Sequence, residues 1–234
     1  MNRFLLIVAS NLLLASGAHA QLSLRAGGNF SHLTASQSPG ANQFYNSAAS
    51  TTNGKLGYQA GLLYVAQLSK HVALVPEVQF RAEYAHATAH DYSLIDYYRD
   101  WDYRLSQSYV SVPVLVRVNV GPVYVEAGPQ ASLLLRAREV GTVTINGWGR
   151  YTQDIDQAAS SAYRRFDVGP CVGVGVKLAT GLGLSLRAYQ GLGYLNRDTT
   201  TQPAYQPPTV PYRGDTQRRQ SLEASVTYQL RGRS

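Results

Sequence analysis

From Val110 to Val120 every even position is valine, and the odd positions hold Ser111, Pro113, Leu115, Arg117 and Asn119. Side chains that alternate with a period of two belong to a β-strand, whose neighbours point to opposite faces. After Gly121-Pro122 the phase reverses: Val123, Val125 and Ala127 are apolar, and Tyr124, Glu126 and Gly128 take the other side. Two strands joined by a tight turn are therefore expected. A strand with one wholly apolar face must bury that face against a protein core or against lipid, and the choice decides the fold.

The alternation recurs along the chain. Leu22, Leu24, Ala26 and Phe30 oppose Ser23, Arg25 and Asn29, and Tyr58 to Leu68 alternate with Gly57, Gln59, Gly61 and Gln67. Val72 to Tyr84 oppose Glu77, Gln79, Arg81 and Glu83; the strand from Val123 continues through Leu133 and Leu135, opposite Gln130, Ser132 and Arg136. Phe166 to Leu178 oppose Asp167 and Lys177, Leu182 to Leu192 oppose Arg187 and Tyr189, and Leu222 to Leu230 oppose Glu223 and Gln229. Tight turns are expected at Ser69-Lys70-His71, Gly121-Pro122 and Thr180-Gly181, and long polar loops at 31–55, 85–106, 137–164 and 196–218. Structureless loops of that length are rare in compact soluble domains. Short turns on one rim and long loops on the other describe an outer-membrane barrel with both termini on the periplasmic side. The reading is an all-β, eight-stranded antiparallel up-and-down transmembrane barrel.

Residues 1–20 read as a secretory signal peptide. They carry a positive start at Arg3, an apolar run through Leu14 and an Ala18-His-Ala20 cleavage site, which leaves residues 21–234 as one barrel domain. Cys171 is the single cysteine, so no intrachain disulfide or cysteine metal cluster is expected. The net charge of +7 is spread singly along strands and loops, unlike the clustered cations of a nucleic-acid binder. No cofactor, metal or nucleic acid is expected.

The apolar face carries no charge in any strand and repeats Val, Leu and Ala without the size variation that an interlocking core requires. The opposite face mixes Gly and Ser with Arg and Glu, as a narrow lumen would. Tyr58, Phe80, Tyr84, Tyr194 and Tyr228 lie toward the ends of the apolar face, where interfacial girdles belong. The valines are expected to face lipid, ruling out the soluble lipocalin-like alternative.

Gly27-Gly-Asn-Phe-Ser31, Gly57-Tyr-Gln-Ala-Gly-Leu62, Leu74-Val-Pro-Glu-Val-Gln-Phe80, Val110-Ser-Val-Pro-Val-Leu115, Val123-Tyr-Val-Glu-Ala-Gly-Pro-Gln130, Phe166-Asp-Val-Gly169 and Gly181-Leu-Gly-Leu-Ser-Leu-Arg187 resemble the PorT-like outer-membrane β-barrel family of Gram-negative bacteria. The resemblance covers nearly all of the chain after residue 20 and implies an eight-stranded outer-membrane barrel. Its motifs are structural. The chain departs from the common aromatic ending of such barrels: Tyr228-Gln-Leu230 is followed by Arg231-Gly-Arg-Ser234.

Glu77, Arg81, Glu83, Arg117, Glu126, Arg136, Asp167, Lys177, Arg187 and Glu223 are expected to point inward as a charge network. Eight strands leave an interior just wide enough for side chains, so a filled lumen is expected over an open channel. Asp91 to Tyr103 is dense in Tyr, Trp, Asp and Arg. Tyr92, Tyr97, Tyr98, Arg99, Trp101 and Tyr103 make it the candidate recognition segment, for a glycan or a protein ligand. The competing reading is a pair of strand extensions with tyrosines pairing across them. His86, His90, Asp91 and Asp96 are candidates for hydrolytic chemistry, but their spacing matches no motif, and solvated loop residues are the favoured explanation. The expected role is a structural or surface-interaction barrel; a narrow porin-like channel is second and an outer-membrane hydrolase or acyltransferase third. Outer-membrane lipid, lipopolysaccharide and the barrel-assembly machinery are the expected partners.

Overall fold

A computed structural model describes residues 21–34, 49–94, 97–178, 181–195 and 218–230. The expected signal segment, Thr180 and the Pro203–Pro211 stretch lie outside the described residues. The strands are β1 (Gln21–Thr34), β2 (Ala49–Gln67), β3 (Val72–Leu94), β4 (Tyr97–Val120), β5 (Val123–Asn146), β6 (Arg150–Ala158), β7 (Phe166–Lys177), β8 (Leu182–Gln190) and β9 (Arg218–Gln229). Every pairing is antiparallel. β1 pairs with both β2 and β9, and the β4–β5 and β5–β7 ladders complete a closed ring of eight strands. Closure leaves no edge in the wall, so its backbone polar groups are paired from strand to strand around the whole ring. β6 stands outside the ring, paired with the upper part of β5.

The faces fall as the alternation dictates. Val112, Val114, Val116, Val118, Val123, Val125, Leu133, Leu135, Val172, Val174, Leu184, Leu186, Leu222 and Val226 are exposed on the outer surface. Ser111, Leu115, Arg117, Asn119, Glu126, Gln130 and Ser132 are buried on the inner one. The valine run Val110–Val120 has the length of one membrane crossing, about 9–11 residues.

β3, β4 and β5 are 23, 24 and 24 residues long, roughly twice one membrane crossing. This corrects the expectation of a structureless loop at 137–164, and at 85–106 it bears out the strand extensions instead of the loop. Both segments are ordered hairpins: His86 pairs with Arg104, Ala89 with Trp101, Glu139 with Gln157 and Ile145 with Tyr151. The reason lies in which face is apolar. Within the ring the apolar residues point out. Above it the inward positions hold Ala85, Ala87, Trp101, Tyr103, Leu105, Val143 and Ile155, all in one buried cluster, while Asp102, Arg104 and Arg138 point out. Alternation persists along each strand, but the polarity of the two faces exchanges between Arg104 and Val110. That exchange marks the upper boundary of the membrane.

At the short-turn rim, Gly121 adopts φ +61°, and a Cβ there would have nothing within 4 Å. Gly149, at the β5–β6 turn, is equally open but has no positive φ. Gly121→Ala should therefore lower stability by about 1 kcal/mol through backbone strain alone. Gly149→Ala should be neutral or slightly stabilising. Equilibrium urea unfolding of the refolded barrel in lipid vesicles would resolve the two.

Candidate functional site: the filled lumen and the projecting sheet

Inward-facing charges from seven of the eight ring strands, all but β2, meet in two groups. In the lower one, Arg187 Nε donates to Glu126 Oε1 at 2.6 Å and Arg187 Nη1 to Glu77 Oε2 at 2.7 Å. Arg117 donates to Glu126 Oε2 through Nε and Nη2, at 3.0 and 2.8 Å, and lies over the Tyr124 ring at 3.9 Å. Arg25 stands 3.4 Å from Glu77 and 3.9 Å from Glu126. The register explains the meeting: Glu126 pairs with Gly173, and Gly173 pairs with Arg187. A Cβ on Gly173 would sit 2.8 Å from Arg187 Cγ and 3.3 Å from Glu126 Cγ. Glycine at that position lets two side chains from non-adjacent strands join over the middle one.

In the upper group, Arg81 pairs with Glu223 at 2.7 Å and Glu83 at 3.0 Å, and donates to Ser221 Oγ at 2.8 Å. Arg219 lies between the rings of Tyr109 and Tyr189, 4.2 and 4.8 Å from their centres, and donates to Ser132 Oγ at 2.9 Å. It is 3.9 Å from both Glu83 and Asp167, and the Tyr189 hydroxyl donates to Asp167 at 2.8 Å. Three guanidiniums meet two carboxylates below, and two meet three above, so the two groups balance each other.

Glu77, Arg81, Glu83, Arg117, Glu126, Arg187 and Glu223 are buried as expected, and Asp167 is largely so. Lys177 is exposed at the short-turn rim, where its Nζ donates to Asn119 Oδ1 at 2.6 Å. Arg136 is a correction: it points outward. The β4–β5 register shifts between Ser108 and Tyr109, which face Arg136 and Leu134 respectively. This bulge places one extra residue on β5 and turns the following side chains over. Three successive leucines, Leu133 to Leu135, break the alternation at that place and are its sequence signal. The reading also missed Arg25 and Arg219 as members of the network. Arg25 lay on the polar face all along, and Arg219 precedes Leu222, where the last strand was expected to start.

Above the charges, Trp101, Tyr103, Leu105, Tyr109, Leu134, Tyr163 and Leu195 pack with Ala85, Ala87, Val143 and Ile155 into an apolar core. The segment between β6 and β7 closes over it. Ala159 N donates to Ala137 O, Arg164 N donates to Leu195 O, and the Tyr163 hydroxyl donates to Glu139 at 3.0 Å. Of the candidate recognition residues, Trp101 and Tyr103 belong to this core; Tyr98 is exposed and Arg99 half-buried. Tyr92 pairs with Tyr98 and Tyr97 with Leu94 through the backbone, while the side chains of Tyr92 and Tyr97 lie outside the described residues. Asp96 and the side chains of His90 and Asp91 also lie outside them. His86 Nε2 is 2.6 Å from Asp102 Oδ1 on the open outer face, with both side chains well exposed.

A closed antiparallel ring with an apolar outer band and a charge-filled interior is an outer-membrane-type β-barrel. Residues 14–196 match the family described as outer membrane protein beta-barrel domain, and the chain belongs to that family. It is similar in backbone to the attachment invasion locus protein Ail of Yersinia pestis, at 8% identity and TM-score 0.39, over 90% of this chain and 99% of that one. Neisserial surface protein A is similar at 13% identity and TM-score 0.41, over 89% and 97% of the two chains. The outer membrane protein OprG from Pseudomonas aeruginosa is similar at 9% identity and TM-score 0.40, over 91% and 97%. No curated protein sequence matches the chain.

Proposed function

We propose that this protein is a closed surface barrel that works through the sheet it projects above the outer membrane, with the filled lumen as its scaffold. The observation that supports this is the exchange of polarity along β3, β4 and β5. The projecting part has its own apolar core, containing Trp101 and Tyr103, and is therefore a platform with a fixed shape. Its outer face presents Asp102 and the rim residue Tyr98 for recognition of a glycan or a protein ligand. The motifs that resemble PorT-like barrels support a place in that branch. The leader at residues 1–20 supplies the route of export, and the assembly machinery its insertion.

Reconstituted in planar bilayers, the full barrel should show no conductance steps, because the two charge groups and the apolar core obstruct the lumen in succession. Uniform open steps would replace this reading with that of a narrow channel. Cells displaying the chain should adhere to at least one member of a panel of immobilised glycans and matrix proteins. A Tyr98→Ser/Arg99→Ser variant present at the same surface level should lose that adhesion. Adhesion to none would sink the interaction role. A hydrolytic activity lost on His86→Ala would favour the enzymatic alternative.

A further inference from the structure

Directly above the apolar band, β4 and β5 carry a cluster of outward arginines. Arg104 faces Val140, Arg138 faces Ser106 and Arg136 faces Ser108 across the same ladder, so on one face Arg138 is the diagonal neighbour of Arg104 and next-but-one to Arg136, and stands between them. Such neighbours lie roughly 7–8 Å apart, within reach of one shared ligand for side chains of this length. Arg165 is exposed beside them at the head of β7, its carbonyl accepting from Leu134 N at 2.7 Å. Among the described residues, one carboxylate is salt-bridged to this group: Asp156, which Arg138 holds through both oxygens at 2.7 and 2.6 Å. The Arg138 hydrogen bonds, with the charges of Arg138 and Arg136, hold the Asp156 carboxyl below its ordinary range. Asp102 and Asp154 lie on the same outward face one step farther from the band, Asp102 against His86 at 2.6 Å, so next to the band four guanidiniums meet one carboxylate, which is already engaged. Immediately below, Leu133, Leu135 and Phe166 are 45%, 52% and 63% exposed on the apolar band.

We propose that Arg104, Arg136 and Arg138 form a binding site for the phosphate of a lipid headgroup in the outer leaflet, with Leu133, Leu135 and Phe166 holding the acyl chains beneath it. Guanidinium forks match phosphate oxygens in pairs. The cluster sits at the height where headgroups begin, and an apolar shelf under an anion site selects a lipid over a free ion. The bulge at Leu135 contributes directly, because without it Arg136 would enter the lumen. The site rests on the orientation of the barrel and is independent of any ligand of the projecting sheet.

The test uses the full refolded chain in zwitterionic micelles, titrated with bis-phosphorylated lipid A and with the same lipid after dephosphorylation, and read by native mass spectrometry. The parent should prefer the phosphorylated lipid by roughly ten-fold or more, as three surface arginines imply. An Arg104→Ser/Arg136→Ser/Arg138→Ser variant should lose that preference, while Asp156→Asn, which frees Arg138, should strengthen binding. If the triple variant fails to show the heat-dependent gel shift of a folded barrel, Arg136→Ser alone carries the test and should weaken binding several-fold. Equal binding of the two lipids by the parent, or an unchanged preference in the folded variant, would overturn the site. Displacement of the lipid by an equal concentration of inorganic phosphate would overturn the lipid as its occupant.

Discussion

Glu126→Ala is expected to destabilise the barrel by about 3–5 kcal/mol, the cost of leaving a buried charge without its partner. Glu126 is 3% exposed and accepts from Arg187 through one oxygen and from Arg117 through the other. Its loss leaves Arg187 with Glu77 and leaves Arg117 with no carboxylate, only the Tyr124 ring. Glu126→Gln should be nearly as costly, since the defect is one of charge and not of shape. An Arg117→Leu/Glu126→Leu double variant should lose less than the two single losses added, because each single change strands the other group. Urea unfolding in vesicles measures all of these. Strict additivity would mean that the two side chains do not form a unit.

Trp101→Ala should remove about 3–5 kcal/mol from the core of the projecting sheet while leaving the ring closed. Trp101 is 2% exposed among Tyr103, Tyr163, Ile155 and Leu195, all of them above the charge groups. The expected result is rapid proteolysis of the β3–β4 and β5–β6 hairpins, with unchanged heat-dependent gel mobility. Tyr98→Ala, at an exposed site, should leave both properties close to those of the parent. Trp148 stands in solvent at the β5–β6 turn. The blue component of the emission therefore belongs to Trp101, and its shift to longer wavelength in a partly unfolded form reports the cap. If Trp101→Ala left protease resistance intact, the projecting sheet would not depend on that core.

The ring was legible because lipid imposes one demand, apolarity, on every outward position, and the valines of β4 meet it without exception. The projecting hairpins were less legible. There the inward face is apolar and the outward face polar, so His86, Asp102 and Arg104 lower the local hydropathy and give the segment the look of a loop. The period of two continued through Ala85, Ala87, Trp101, Tyr103 and Leu105, and was the signal available. Arg136 was misplaced because a bulge shifts phase without changing composition. The pairing of Arg117 with Glu126 is readable in the sequence, because Arg117 stands four residues before Gly121 and Glu126 four after Pro122. The joining of Arg187 to Glu126 did not follow from the sequence, since it needs the register of three strands and the missing side chain of Gly173.

The central claim is that the valines of β4 touch lipid while the residues between them touch a packed interior. Single cysteines placed in a Cys171→Ser background test it directly. Val114→Cys and Val116→Cys in the folded barrel should react with a lipid-soluble thiol reagent and resist a membrane-impermeant one. Ser111→Cys and Leu115→Cys should resist both until the barrel is unfolded. Modification at position 111 or 115 by the impermeant reagent would show an open aqueous lumen, and its reaction at 114 or 116 would show that the barrel is inside out.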